Sequence, residues 1–195
     1  ECLFLPVLLP IDTFHFPPSL GTLTTIFTGD LTFSEEGCRV DIVDIAHHLS
    51  MLCRYTGACK KFYSVAEHSI RVAQELPPAL KLAGLLHDAA EAYINDISSP
   101  VKASHKLEET EARITAVINQ KYELVNPFPA EVKKMDLILL ATEVRDLMSK
   151  DCKWQEFPIP LIKVITPWSS DLAEWRFLEM FYRYSNFIEE EKQQC

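Results

Sequence analysis

Histidine and carboxylate side chains concentrate in one apolar stretch of the sequence. His87 and Asp88 are adjacent, and Glu91 follows about one helical turn later, within the string LAGLLHDAAEAY. A carboxylate inside an apolar helix is strongly unfavourable unless it is paired with a cation or bound to a metal. The sequence therefore predicts that Asp88 has a cationic partner.

A divalent metal ion is the partner that the neighbouring residue types favour. Successive helical residues point about 100° apart, so His87 and Asp88 can both reach one ion. His68 lies on the preceding predicted helix and Asp136 on a later one. Two neutral histidines and two ionised aspartates balance one divalent ion and leave positions for water and substrate. Mixed nitrogen and oxygen ligands suit Mn, Fe, Co, Ni or Zn better than Mg or Ca.

The elements that must position these residues are helices. Ser64 and Glu67 have the spacing of a capping box, and prolines separate the periodic stretches. The stretch 79–94 is apolar almost all round, which is typical of the centre of a bundle. Apolar residues recur at helical spacing over 41–53, 64–76, 79–94, 104–124, 130–149 and 169–190.

This pattern predicts an all-α bundle of five to seven helices over residues 39–195. No paired strands, repeats or low-complexity tracts compete with it. Residues 1–38 are rich in Pro, Thr, Gly and Phe without a sustained period. We expect them to form an irregular arm, with a short strand at 22–28 as the one regular element that the sequence suggests there.

Composition excludes several classes of function. The chain has 195 residues, of which 48% are apolar and 24% charged, as in a soluble globular domain. Its net charge of −9 makes duplex nucleic acid a poor partner. Neither GxGxxG nor GxxxxGK[ST] occurs, which disfavours a dinucleotide fold or a P-loop.

Cysteine usage and hydropathy indicate the compartment. None of the six cysteines forms a CxxC pair, which favours free thiols in a reducing cytoplasm. The string ECLFLPVLLP is apolar but lacks a basic flank, and no run of 18 apolar residues occurs. We therefore expect a cytoplasmic protein with no secretion signal and no membrane span.

The pattern H…HD…D, here His68, His87-Asp88 and Asp136, resembles the ligand set of the HD superfamily of metal-dependent phosphohydrolases. The strings SVAEHS, LAGLLHDAAEAYINDISSPVK and EVKKMDLILLATEVRDLM are similar to those of single-domain phage and bacterial HD hydrolases. That group includes 5′-deoxynucleotidases and phage dATP triphosphohydrolases. The resemblance extends over about residues 39–182. It implies an HD-type bundle, these four metal ligands, a nucleotide substrate and a homo-oligomer.

The resemblance also implies roles for further polar residues. Asp96 falls where the family has the carboxylate that orients or deprotonates the attacking water. Glu91 falls where the family has a second carboxylate near the scissile phosphate. Arg54, Lys102 and Lys133 match basic residues that face the phosphate.

Ordinary structural roles stay open for several of these residues. Arg54 could cap the first helix, Lys102 and Lys133 could be solvated, and Asp96 could close a turn. Tyr55 follows Arg54, and an aromatic ring at that position could stack on a nucleobase.

We expect a metal-dependent phosphohydrolase that acts on small-molecule nucleotides, with a deoxynucleoside 5′-monophosphate as substrate. A dNTP triphosphohydrolase is the alternative with the same chemistry, because three candidate cations suit a longer phosphate chain. A non-catalytic nucleotide-binding HD domain is the alternative of another class. Glu91 and Asp96 disfavour it, because binding alone needs no carboxylates beyond the metal ligands.

Overall fold

The computed structural model describes residues 40–97, 101–102, 107–124, 129–149 and 156–194. In the last of these ranges, side chains are described only up to residue 187. The predicted arm at 1–38, with its strand at 22–28, lies outside these residues. The described α-helices are α1 (Ile42–Met51), α2 (Val65–Glu75), α3 (Lys81–Leu86), α4 (Glu91–Ile94), α5 (Leu107–Lys121), α6 (Ala130–Leu147) and α7 (Ser170–Gln194).

The predicted all-α bundle is confirmed. Two short 3₁₀ helices, Arg54–Gly57 and Pro78–Leu80, link the α-helices. Within the described ranges, β pairing is limited to an isolated bridge between Cys53 and Ser64. None of the described helices combines the length and the apolar composition needed to cross a lipid bilayer.

Helix α2 occupies the centre of the bundle. It packs against α1, α3, α6 and α7, and all of its residues from Val65 to Ala73 are buried. The 79–94 stretch, which the sequence places at the centre, lies beside α2 and is itself buried from Leu82 to Leu86. His68 therefore points from the most enclosed helix of the fold.

Local sequence explains where α2 begins. The Ser64 hydroxyl accepts the N–H of Glu67 at 3.1 Å, as the predicted capping box requires. The buried Glu67 carboxylate serves other partners: Arg71, at 2.7 Å, and the backbone N–H of Trp168, at 2.8 Å. Only the serine half of the box is therefore observed, and Glu67 instead ties the segment before α7 to α2.

The prediction of one continuous helix over 79–94 is wrong. The chain forms α3, then a turn at 87–90, then α4. In the turn, the N–H groups of Ala89 and Glu91 bond to carbonyls three residues back. His87 Nδ1 lies 2.8 Å from the Gly84 carbonyl oxygen. A regular α-helix would give that oxygen to the Asp88 N–H, so the histidine side chain competes with the helical bond at this point.

Candidate metal centre

Side chains from α2, from the turn after α3 and from α6 converge at one point. The Nε2 atoms of His68 and His87 are 3.3 Å apart. Asp136 places Oδ1 at 3.3 Å from His68 Nε2. The ligand atoms of His68, His87 and Asp136 all lie within 4.8 Å of one another. This group could hold a metal ion.

Asp88 adjoins the group beside His87. Its Oδ2 is 3.2 Å from His87 Nε2 and 3.5 Å from His68 Nε2. The Asp88 side chain is 22% exposed, so it borders solvent rather than the sealed interior that the sequence suggests. The structure thus brings the four predicted ligands together, with Asp88 in contact with two of the three mutually close residues.

The outer nitrogens of both histidines face protein acceptors. His68 Nδ1 lies 2.7 Å from Glu143 Oε1, and His87 Nδ1 lies 2.8 Å from the Gly84 carbonyl. A carbonyl or a carboxylate can only accept, so each Nδ1 carries the hydrogen. In the neutral rings both Nε2 lone pairs then face the common point. Without a metal, a proton on His68 Nε2 can occupy this point, because Asp136 Oδ1 and His87 Nε2 both lie 3.3 Å away as acceptors. With both rings neutral, the same donor set fits a divalent metal ion.

Electrostatics keeps the two aspartates of the group ionised. Burial alone would raise the pKa of Asp88, but His87, His68 and Arg54 lower that pKa well below its usual range. Burial likewise opposes ionisation of Asp136, and the two histidines lower its pKa well below the ordinary value. Both carboxylates are therefore available as anionic ligands at neutral pH.

Glu143 is a site residue that the sequence reasoning missed. It is fully buried and accepts hydrogen bonds from His68 Nδ1, at 2.7 Å, from Arg54 Nε, at 3.3 Å, and from the Tyr55 hydroxyl. Burial opposes its ionisation, but Arg54 and His68 lower the pKa of Glu143 to about 2. One signal was present in the sequence: Glu143 follows Asp136 by seven residues, or two helical turns, on the same face of α6.

Arg54 and Asp96 organise the loop after α1. Arg54 begins a 3₁₀ helix and is buried. Its Nη1 lies 3.5 Å from Asp88 Oδ2, so the predicted phosphate contact does border the ligand group. The Asp96 carboxylate accepts the backbone N–H of Tyr55 at 3.0 Å. Tyr55 has φ 57°, in the left-handed region, so Asp96 supports a strained turn as well as lying near the site.

Glu91 and Lys102 form a second polar cluster near Asp88. Lys102 Nζ lies 3.3 Å from Glu91 Oε1 and 2.7 Å from Glu111 Oε1, so Lys102 is paired rather than simply solvated. Within the described part of the chain, Glu91 Oε2 is buried without a hydrogen-bond partner. Burial, then Asp88 and Asp96, raises the pKa of Glu91 to about 9. A carboxyl group whose pKa is raised in this way is suited to hold a proton and to act as a proton donor.

A cleft of about 450 Å³ opens over the ligand group. Lys133 stands at its edge, with a side chain that is 72% exposed and an Nζ 3.1 Å from Asp136 Oδ2. Among the described residues, Tyr55 does not line the cleft. The residues that do so are His87, Asp88, Val132, Lys133 and Asp136 on one side and Glu108, Glu111, Ala112, Thr115, Ala116 and Asn119 of α5 on the other.

Comparison with known proteins places this bundle in a family. No family model matches the chain. The uncharacterized protein YfdR of Escherichia coli is 42% identical over 124 residues, which are 62% of this chain and 70% of YfdR. The uncharacterized protein RCAP_rcc00048 of Rhodobacter capsulatus is 36% identical over 106 residues, 49% of this chain and 54% of that protein.

The fold and the site define a helical-bundle protein with a His/His/Asp group that could hold a metal ion. At 42% identity over most of YfdR, the chain belongs to the same family as YfdR. Its match to the Rhodobacter protein spans about half of that relative's length.

Proposed function

We propose that this protein is a metal-dependent phosphohydrolase that releases inorganic phosphate from deoxynucleoside 5′-monophosphates. The observation that carries the proposal is the convergence of two histidine Nε2 atoms and an aspartate oxygen within 4.8 Å of one another, at the edge of a cleft of about 450 Å³. The resemblance to HD-superfamily enzymes supplies the reaction class and the substrate class.

His68, His87, Asp88 and Asp136 would hold one divalent ion of Mn, Fe, Co, Ni or Zn. Such an ion, when bound, activates water and offsets negative charge on a phosphoryl group. The donor set is suited to it because two neutral imidazoles and two carboxylates carry two negative charges in total.

The chain's own cations would bind the phosphoryl group. Arg54 is held by Glu143 through Nε, so its terminal N–H groups can donate to phosphate oxygens. Lys102 and Lys133 each lie beside a carboxylate of the site. Their ammonium groups would add positive charge where the equatorial oxygens become more negative.

Two carboxyl groups would move the protons. Water attacks phosphorus as the bond to the 5′ oxygen breaks. Asp96 would accept a proton from the attacking water. Glu91, whose pKa burial and Asp88 raise to about 9, would give its proton to the departing 5′ oxygen. The products are inorganic phosphate and a deoxynucleoside.

The charge of the cleft favours a monophosphate over a triphosphate. Beyond the metal ligands, its described lining carries the carboxylates of Glu108 and Glu111, and Glu111 is paired with Lys102 at 2.7 Å. Further phosphate groups near Glu108 would meet like charge at a Coulombic cost. The dNTP triphosphohydrolase alternative therefore has less support from the described residues.

The test is product analysis with the Mn- or Co-loaded protein on deoxy- and ribonucleoside mono- and triphosphates. We expect inorganic phosphate from the deoxynucleoside monophosphates. Asp88→Ala should lose metal and turnover together, whereas Asp171→Ala, at an exposed position of α7, should lose neither. Triphosphate release would favour the triphosphohydrolase. Full metal occupancy without turnover on any nucleotide would contradict the proposal and favour a binding domain.

The cytoplasmic location and the homo-oligomer stay predictions. Light scattering on the purified protein measures the oligomeric state directly.

A further inference from the structure

The two walls of the cleft differ in chemistry. The candidate metal ligands His87, Asp88 and Asp136 all lie on one wall, and a stripe of α5 forms the other. A phosphoryl group held at the ligands therefore leaves the rest of the substrate facing α5. The volume of about 450 Å³ falls within the range of roughly 300–1,000 Å³ that is typical of small-molecule sites.

The α5 wall carries two alanines among polar residues. Ala112 and Ala116 are one helical turn apart and carry no atoms beyond Cβ, so a planar ring can lie against them. Thr115 and Asn119, both half-buried, follow the same stripe. A hydroxyl and an amide each donate and accept hydrogen bonds, which suits the edge of a nucleobase or a sugar hydroxyl.

The core contacts of α5 fix this face in place. Ile114 and Ile118 are fully buried on the neighbouring face of the helix. The orientation of α5 therefore follows from core packing, and the stripe that carries Thr115 and Asn119 is presented to the cleft.

Tyr55, the residue that the sequence offered for a base contact, is engaged elsewhere. Its hydroxyl bonds to Glu143 and its backbone N–H bonds to Asp96. Its ring lies beside the guanidinium of Arg54, 5.1 Å from ring centroid to Cζ. Tyr55 is not among the described residues that line the cleft, whereas α5 contributes six of them.

We propose that α5 forms the nucleoside subsite, in which the base lies on Ala112 and Ala116 and its edge or the sugar is read by Thr115 and Asn119. This inference rests on the proposed nucleotide substrate and adds the residues that determine base or sugar preference.

Ala116→Phe tests the platform. Ala116 is exposed, so the added ring fills the cleft without entering the core. We expect the KM for deoxynucleoside monophosphates to rise about 10-fold or more. The inhibition constant of inorganic phosphate and the metal affinity should stay within about twofold of wild type, because neither ligand needs the nucleoside wall.

Gln120→Phe is the matched control, because it carries the same ring on an exposed residue of α5 that does not line the cleft. It should leave the KM unchanged. Asn119→Ala should change the ratio of kcat/KM between two of the four bases, or between deoxyribose and ribose, by about 10-fold, the scale of one lost hydrogen bond.

The outcomes separate the subsite from the reaction. If nucleotides are hydrolysed and both cleft variants keep the wild-type KM and base ratios, the subsite is refuted and the phosphohydrolase stands. Calorimetry could instead show that the metal-loaded protein binds deoxynucleoside monophosphates but does not hydrolyse them. Weaker binding by Ala116→Phe would then still support the subsite, and the proposed reaction would be refuted. A protein that neither binds nor hydrolyses them overturns both proposals.

Discussion

Replacing Glu143 by glutamine tests whether this buried carboxylate prepares the metal site. The carboxylate accepts His68 Nδ1–H at 2.7 Å and also binds Arg54 and the Tyr55 hydroxyl. Glutamine keeps the size of the side chain but removes the charge. Its amide nitrogen is a donor, so it must face at least one of three groups that now donate to Glu143.

We expect Glu143→Gln to weaken divalent metal binding by about 10- to 100-fold, which corresponds to about 1.4–2.7 kcal/mol. The carboxylate fixes the tautomer and orientation of His68 and makes its Nε2 more basic. Because Arg54 and His68 lower the pKa of Glu143 to about 2 against the effect of burial, the carboxylate is ionised from pH 6 to 8. The carboxylate should therefore support His68 throughout that range.

The assay is a competition titration of Co²⁺ or Mn²⁺ against a chelator, with circular dichroism to confirm folding. Glu75→Gln, at the exposed end of α2, is the control and should bind metal as wild type does. A metal dissociation constant for Glu143→Gln within twofold of wild type would show that Glu143 does not act through His68.

Three further changes test the account. Asp96→Ala should lower kcat about 100-fold with metal still bound. Asp96→Asn keeps an oxygen that can accept the Tyr55 N–H. A wild-type kcat in Asp96→Asn would show that Asp96 supports the turn and does not move a proton. Gly84→Ala places a methyl against the α2 backbone, 3.2 Å from a Cα atom, and should cost about 1–3 kcal/mol in urea unfolding; unchanged stability would contradict that close approach. Asp146, whose pKa Arg145 lowers through a hydrogen bond, accepts the N–H of Ile165 at 2.8 Å. Because its folded pKa lies below the unfolded value, Asp146→Asn should cost about 1 kcal/mol at pH 7, and this cost should fall as the pH drops through the folded pKa. An equal cost at neutral and at acid pH would count against an ionised Asp146.

The helices could be predicted from the sequence because their signals are local. Apolar residues at helical spacing give α1, α6 and α7 to within a few residues. Ser64 marks the start of α2, as its hydrogen bond to the Glu67 N–H shows. The convergence of His68, His87 and Asp136 was also predictable, because the H…HD…D pattern resembles a ligand set drawn from separate helices.

The rest depended on contacts between distant residues. The break at His87 arises because its ring occupies the Gly84 carbonyl, and residue periodicity carries no trace of that bond. Glu143 was missed because its partners come from α2 and from the loop after α1. The cleft-facing stripe of α5 is polar and partly exposed. Its sequence pattern therefore cannot be distinguished from that of an ordinary solvent-facing helix surface.

The central claim is that His68, His87, Asp88 and Asp136 bind one divalent ion. Anomalous diffraction from crystals grown with Mn²⁺ or Co²⁺ measures this directly. We predict one strong peak per chain, about 2.0–2.2 Å from both histidine Nε2 atoms and in contact with carboxylate oxygens of Asp136 and Asp88. A protein that takes up the metal at another position, or shows no peak between the two imidazoles at saturating metal, would contradict the account.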